Sequence, residues 1–373
     1  MLYPSPYPTW LEIDLSEVAH NTRAVINKAG VALMAVVKAN AYGFGAIDVA
    51  HTVLNNGASS LAVARCSEAL SLRRAGIQAD ILVFGMATPA EVDEAIAERI
   101  SLTLHSFESA QLYAERARAA GNVVHVHLKV DTGFGRLGVL PEEALSLAQT
   151  ALASGVIQLD GLYSHLAMAD EAPDHPVTQA QMDRFEGVRQ AFISAGINPA
   201  WVHLANSAAA FGIPQSRYNL VRVGTALLGM RPFYFQSLPP ELHRVLSWKA
   251  LLAASKQLPP GSGIGYGHTY ITQDSEWVGV VPVGYGDGFR RKPDNVVLIQ
   301  GQRCEVIGRV SGDSCIVRLP GYVAPGSEVV IIGKQGEEEI TTDELITRWD
   351  ISQADITSGI NLRVPRLYLD QTS

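Results

Sequence analysis

Between about Trp10 and Met230, short apolar runs of strand length alternate with amphipathic stretches of helix length. The strand runs are 11-LEIDL, 34-MAVVK, 61-LAVA, 80-DILVFG, 101-SLTLH, 125-HVHLKV, 158-QLDGLYSH, 201-WVHLAN and 219-NLVRVG. Between them lie stretches such as 17-EVAHNTRAVINKAG, 67-SEALSLRRAG, 89-PAEVDEAIAER, 106-SFESAQLYAERARAAG and 141-PEEALSLAQTALASG. Several open on Ser or Pro and several close on Gly, the start and stop signals of helices. Strands alternating with helices predict βα units and a parallel sheet. Eight or so units in about 220 residues is the size of a (β/α)8 barrel. A doubly wound sheet is the alternative, which periodicity alone does not exclude.

After Arg231 the pattern changes. Pro239 and Pro240 sit in an irregular polar stretch, followed by the β-like runs 277-WVGVVPVGY, 295-NVVLIQGQRCEVIGRV, 315-CIVRL and 328-EVVIIG, separated by Gly and Pro turns. The expectation is an α/β chain with an N-terminal (β/α)8 TIM barrel over residues 1–240 and a C-terminal mostly-β domain over 241–373. The run 261-GSGIGYG looks like a dinucleotide fingerprint, but no helical pattern follows it, so it reads as a turn.

Composition narrows the function classes. With 47% apolar and 18% charged residues the chain has material for a large core. A net charge of −8 gives no reason to expect nucleic acid or an anionic membrane as partner. Cys66, Cys304 and Cys315 are far apart and form no C-x-x-C pair, which argues against a disulfide framework and a zinc site. No signal peptide and no bilayer-length apolar run is read, so the expectation is a soluble cytoplasmic protein.

The chemistry of a parallel barrel belongs at the C-terminal ends of its strands, and polar residues collect there. Lys38, Lys129 and His165 end strands, Arg136 follows in 128-LKVDTGFGRLG, and Ser207, Arg222, Gly224 and Thr225 surround the last two strands. Singly, each has an ordinary reading: Lys129 and Asp131 as an ion pair, His165 as a satisfied core histidine, Ser207 as a helix cap, Arg222 as a partner of some carboxylate. Their joint placement is harder to dismiss. Barrels often bind phosphate with the loops after their final strands, and glycine lets backbone N–H groups approach an anion. A lysine at one end and a phosphate cradle at the other suggest a phosphorylated aldehyde cofactor, and pyridoxal 5′-phosphate fits that pair.

At this point the chain resembles the alanine racemase family, pyridoxal-phosphate enzymes with a barrel and a β domain. The resemblance rests on 10-WLEIDLSEVAHN, 35-AVVKANAYG, 128-LKVDTGFGRLG, 161-GLYSHLAMAD, 203-HLANSAA, 220-LVRVGTALLG, 264-IGYGHTY, 282-PVGYGDG, 308-GRVSGD and 363-RVPR, in the family order. It implies that Lys38 holds the cofactor and is one catalytic base, and that Tyr266 is the opposite base, contributed by the other subunit of a homodimer. It implies Arg222 facing the pyridine nitrogen with His165 behind it, and Tyr42, Ser207, Gly224 and Thr225 around the phosphate. Arg136 resembles the arginine near the substrate carboxylate, Lys129 a lysine often carbamylated, Tyr285 an entrance tyrosine and Asp313 an aspartate close to the tyrosine base. The implied substrate is a small amino acid, and the implied role is D-alanine supply.

Three positions depart from the family pattern. Phe44 stands for a histidine in the lysine motif, Gly312 for a methionine, and Ala354 for a tyrosine near the phosphate. The last two replace large side chains by small ones, which predicts a roomier pocket and activity toward serine or other small amino acids besides alanine. The competing readings are a pyridoxal-phosphate barrel decarboxylase and a non-catalytic cofactor-binding regulatory protein. Arg222 in place of an acidic partner, and a complete second domain carrying Tyr266, speak against both.

Overall fold

The computed structural model describes residues 5–234 and 236–369. Strands β1 (Thr9–Asp14), β2 (Ala32–Val36), β3 (Ser60–Val63), β4 (Asp80–Val83), β5 (Ser101–Leu104), β6 (Val124–Lys129), β7 (Ile157–Tyr163), β8 (Trp201–His203) and β9 (Leu220–Val223) account for the nine apolar runs. The helices are α1 (Leu15–Ala29), α2 (Lys38–Tyr42), α3 (Ala46–Asn55), α4 (Cys66–Arg74), α5 (Pro89–Ala97), α6 (Phe107–Ala120), α7 (Ala144–Ala153), α8 (Pro176–Ser194) and α9 (Ser207–Gly212).

Residues Glu17–Arg244 form one unit. Its 8-stranded parallel sheet runs in the order β8-β7-β6-β5-β4-β3-β2-β9, so the first and last strands of the path approach each other in a nearly closed barrel. The Arg222 N–H donates to the Ala205 carbonyl at 3.0 Å, linking β9 to the segment after β8. Every residue of β3 and β9 is buried, as expected of strands covered on both faces. The helices lay one apolar stripe on the sheet: α3 buries Val49, Ala50 and Val53. Their starts follow capping rules, with Thr88 accepting from the Glu91 N–H at the head of α5 and Ser106 from the Ser109 N–H at the head of α6.

The run 11-LEIDL departs from the expected alternation. As β1 it pairs antiparallel with Leu246–Leu251 and parallel with Arg366–Leu369, in the other unit. The reason is edge availability: β2 pairs with β3 on one side and β9 on the other, which leaves β1 no barrel edge to join.

The second unit comprises the residues through Ser16 together with those from Val245 onward. Its 10-stranded sheet packs around buried Trp248, Phe289 and Trp349, whose rings meet edge-to-face at 6.2 and 5.7 Å. Trp248 Nε1 donates to Thr9 Oγ1 at 2.9 Å and Trp349 Nε1 to Asn295 Oδ1 at 2.8 Å, so the buried indoles carry no orphaned donor. The run 261-GSGIGYG lies on a small hairpin, Gly263–Ile264 paired with Tyr270–Ile271, and opens no helix of phosphate-binding type.

Candidate active site

Lys38 stands where β2 ends. The four residues after it, Ala39, Asn40, Ala41 and Tyr42, all have φ between 50° and 55°, so α2 is a single left-handed turn. Left-handed helix costs about 1–2 kcal/mol per L-residue, and only Asn40 tolerates that conformation well. The turn is held by its surroundings. The Ala39 N–H donates to Glu68 Oε1 at 2.5 Å, the Ala46 N–H to Asn40 Oδ1 at 2.9 Å, and the Ala41 N–H to the Val37 carbonyl at 2.9 Å. Burial, then Arg136, hold the Lys38 amine below the ordinary lysine range, with Glu68 opposing.

The turn carries Tyr42 toward the last strand. A Cβ on Gly224 would lie 2.7 Å from Tyr42 Oη and 2.9 Å from the Val36 carbonyl, so only glycine fits there. The Gly224 N–H donates to Ser207 Oγ at 3.5 Å, and Thr225 Oγ1 donates to the same atom at 3.2 Å. Ser207 is not the cap of α9: Asn206 is, accepting from the Ala209 N–H at 3.0 Å. Tyr42, Ser207, Gly224 and Thr225 thus form one small polar cradle.

Arg222 is buried on β9. Nη1 donates to the His203 carbonyl and to His203 Nδ1, both at 3.0 Å, and Nη2 donates to the Ser164 carbonyl at 2.7 Å and His165 Nδ1 at 3.2 Å. Burial lowers its pKa to about 10, which leaves it a cation at neutral pH. Burial, and next Arg222, hold His165 and His203 well below the ordinary histidine range. Among the described residues no carboxylate meets this guanidinium, contrary to the ordinary reading of Arg222.

Lys129 is buried, its Nζ 5.0 Å from the centre of the Tyr163 ring, donating to the Val130 carbonyl at 3.3 Å. Burial and then Arg222 hold its amine well below the ordinary range. It forms no ion pair with Asp131, whose carboxylate accepts from the N–H groups of Gly133, Phe134, Gly135 and Arg136 at 2.8–3.1 Å. That turn presents Arg136, whose guanidinium stacks on Phe134 at 4.2 Å.

The other unit gathers a second set. The Tyr285 and Gly286 N–H groups donate to the Ser311 and Gly312 carbonyls at 3.0 and 2.9 Å, joining two motif loops. A Cβ on Gly286 would meet Arg363 Nη2 at 2.7 Å. That close approach lets Arg363 reach Asp287 at 2.7 Å, Asp313 at 2.9 Å and the Gly312 carbonyl at 3.2 Å. Asp313 therefore pairs with Arg363. Tyr266 and Tyr285 are 70% and 55% exposed. Ala354 sits half-buried in the helix Gln353–Ser358.

Two family profiles match, "Alanine racemase, N-terminal domain" over residues 13–232 and "Alanine racemase, C-terminal domain" over residues 245–368. The chain belongs to the alanine racemase family. It is 42% identical to the alanine racemase of Symbiobacterium thermophilum over 98% of both chains, and 39% identical to that of Geobacillus stearothermophilus over 96% of this chain and 93% of the relative. Among solved structures, the alanine racemase of Streptomyces lavendulae superposes with a TM-score of 0.93 at 36% identity over 98% of both chains. That of Bacillus anthracis, solved with bound L-Ala-P, gives 0.93 at 34% identity over 99% of this chain and 97% of that one. The chain is accordingly an isomerase acting on alanine, and its cofactor is pyridoxal 5′-phosphate. The residues present fit that group: an amine of lowered basicity at Lys38, a hydroxyl-lined cradle that a Cβ on Gly224 would fill, and a buried cationic donor at Arg222.

The sequence missed Glu68, His127, Tyr163 and His203. Glu68 shows only as the acidic residue of a capping box, and the others as polar interruptions of apolar strands.

Proposed function

We propose that this chain racemises alanine with two bases, Lys38 and, from a second copy, Tyr266 of the partner subunit. The observation that carries the reading is the Lys38 amine, half-buried at the end of β2 and held below its ordinary pKa by burial and Arg136, with Glu68 opposing. A lysine amine has an ordinary pKa of about 10.4, so lowering it prepares Nζ to take a proton from Cα near neutral pH. Pyridoxal 5′-phosphate held at the cradle would supply the electron sink that makes the Cα proton removable. Arg222 cannot give up a proton, so it would offer the ring nitrogen a hydrogen bond and nothing more, with His165 fixing its plane. Arg136 would receive the substrate carboxylate, with a carbamylated, anionic Lys129 positioning its guanidinium. The unprotonated amine that burial favours at Lys129 is the form that adds carbon dioxide. Tyr42, Ser207, Gly224 and Thr225 would hold the phosphate.

The exposure of Tyr266 and Tyr285 supports a homodimer with shared active sites, Tyr285 standing at the entrance and Asp313 supporting the tyrosine base. Mixing K38A and Y266F tests this: a mixed dimer rebuilds one complete site, so activity returns on mixing, whereas sites made within one subunit stay dead. We place the protein in the cytoplasm, supplying D-alanine; among the described residues no helix is long and apolar enough to cross a membrane.

Specificity extends to serine and other small amino acids in this reading. A Cβ on Gly312 would stand in ordinary contact with the Tyr285 phenol, 3.6 Å from Oη, so glycine there leaves out the side chain that would otherwise fill the space beside it, and Ala354 likewise stands for a larger residue. The experiment is α-proton exchange into deuterated water with chiral analysis of the products, across a panel of L-amino acids. Serine racemised within about tenfold of alanine supports the wider pocket. A steep preference for alanine removes it, and no exchange at all removes the two-base reading.

A further inference from the structure

Glu68 does two jobs of different origin. Its Oε2 accepts from the Ala64 and Arg65 N–H groups at 2.8 and 3.0 Å, which is the ordinary work of an acidic residue in the first turn of a helix. Its Oε1 accepts from the Ala39 N–H at 2.5 Å, from a different loop 29 residues away. Capping α4 does not require that second contact. The left-handed turn does: Ala39 is its first residue, and the turn is built from residues that resist the conformation.

We propose that Glu68 is a positioning residue for the reaction, clamping the left-handed turn that sets Lys38 at one end and Tyr42 at the other. The carboxylate spans the gap between the loops after β2 and β3 and fixes the direction in which the chain leaves β2. A side chain hung on four strained residues would otherwise have a right-handed alternative of lower local energy, with Lys38 and Tyr42 no longer facing the same cradle. The carboxylate also acts on the Lys38 amine electrostatically, raising its pKa against the lowering by burial and Arg136. The inference rests on Lys38 being the base. Amide exchange reads the turn itself, so a failure of the clamp and a failure of the base assignment are distinguishable.

The test uses the holoenzyme and three variants. In E68Q the amide has one acceptor oxygen for three N–H donors and no charge. E68D keeps the charge but falls a methylene short. E91Q makes the same kind of change in the capping box of α5, where Glu91 Oε2 accepts from the Thr88 N–H at 2.9 Å and touches no catalytic element. Hydrogen exchange over residues 38–45 should quicken roughly ten- to a hundredfold in E68Q and E68D, the loss expected for a hydrogen bond to a charged acceptor, and stay unchanged in E91Q. The pH midpoint of the absorbance of the cofactor held by Lys38 should fall in E68Q and move less in E68D. Exchange over 38–45 in E68Q that matches E91Q, or quickened exchange confined to α4, overturns the proposal. So does an unmoved absorbance midpoint, which would leave Glu68 a helix cap only.

Discussion

The Nη1 of Arg222 donates to Nδ1 of His203 at 3.0 Å, and His203 Nε2 lies 2.8 Å from His127 Nδ1. Arginine has donors only, so His203 Nδ1 must accept. A neutral His203 then carries its proton on Nε2 and donates it to His127. The guanidinium therefore fixes both tautomers, and the barrel interior beneath the site is a one-directional chain of donors.

Breaking that chain should be costly at both ends. In H203F, Arg222 loses an acceptor and His127 its donor, each in a buried setting. We expect a stability loss of about 1–3 kcal/mol and a fall in kcat/KM of roughly tenfold or more as Arg222 loosens. Wild-type kinetics in H203F would show that the backbone carbonyls alone orient Arg222.

The buried histidines make stability sensitive to acid. His127 is held at about 4 by burial, against an ordinary 6.5, and His165 and His203 lie well below it as well. The folded values are depressed, so on acidification the unfolded chain binds protons first. Stability is complete above about pH 6.5 and declines toward pH 4, by up to about 1.4 kcal/mol per pH unit for each histidine. Urea midpoints measured between pH 7.5 and 5 should fall accordingly, and H127Q should flatten the slope. A wild-type midpoint independent of pH in that range would contradict the burial argument.

G224A should damage the cradle without straining the backbone, because Gly224 has φ −130°. The added methyl would crowd Tyr42 Oη and the Val36 carbonyl, and the carbonyl belongs to β2 and cannot yield. The expected result is a destabilisation of about 1–3 kcal/mol with cofactor affinity weakened about tenfold, read by equilibrium dialysis. Unchanged affinity would place the phosphate elsewhere.

G312M should narrow the substrate range. A Cβ there finds only ordinary contact with Tyr285, so the variant folds, and the longer side chain fills the space beside the phenol. The ratio of kcat/KM for serine to that for alanine should drop about tenfold. An unchanged ratio would mean that Gly312 does not line the path of the substrate side chain.

Much of this site was legible in the sequence because strand periodicity and strand ends are local. Apolar runs of strand length separated by amphipathic helices specify βα units and a parallel sheet. A parallel barrel brings the ends of its strands together, so Lys38, Lys129, His165 and Arg222 could be grouped before any coordinates existed. What lay outside that reach depends on partners far apart in the chain. The sequence ANAYG after Lys38 does not announce a left-handed turn: Ala39, Ala41 and Tyr42 disfavour it, and it persists because Glu68 and the Ala46 N–H hold it. The His127–His203 pair joins residues 76 positions apart. The apolar run at β1 looked like any barrel strand, and only the pairing of β2 with β9 showed that the barrel had no edge for it. Local backbone geometry fixes which segments become strands and helices; which strand edges stay open and which strained conformations survive are settled by contacts that exist only after the chain has packed.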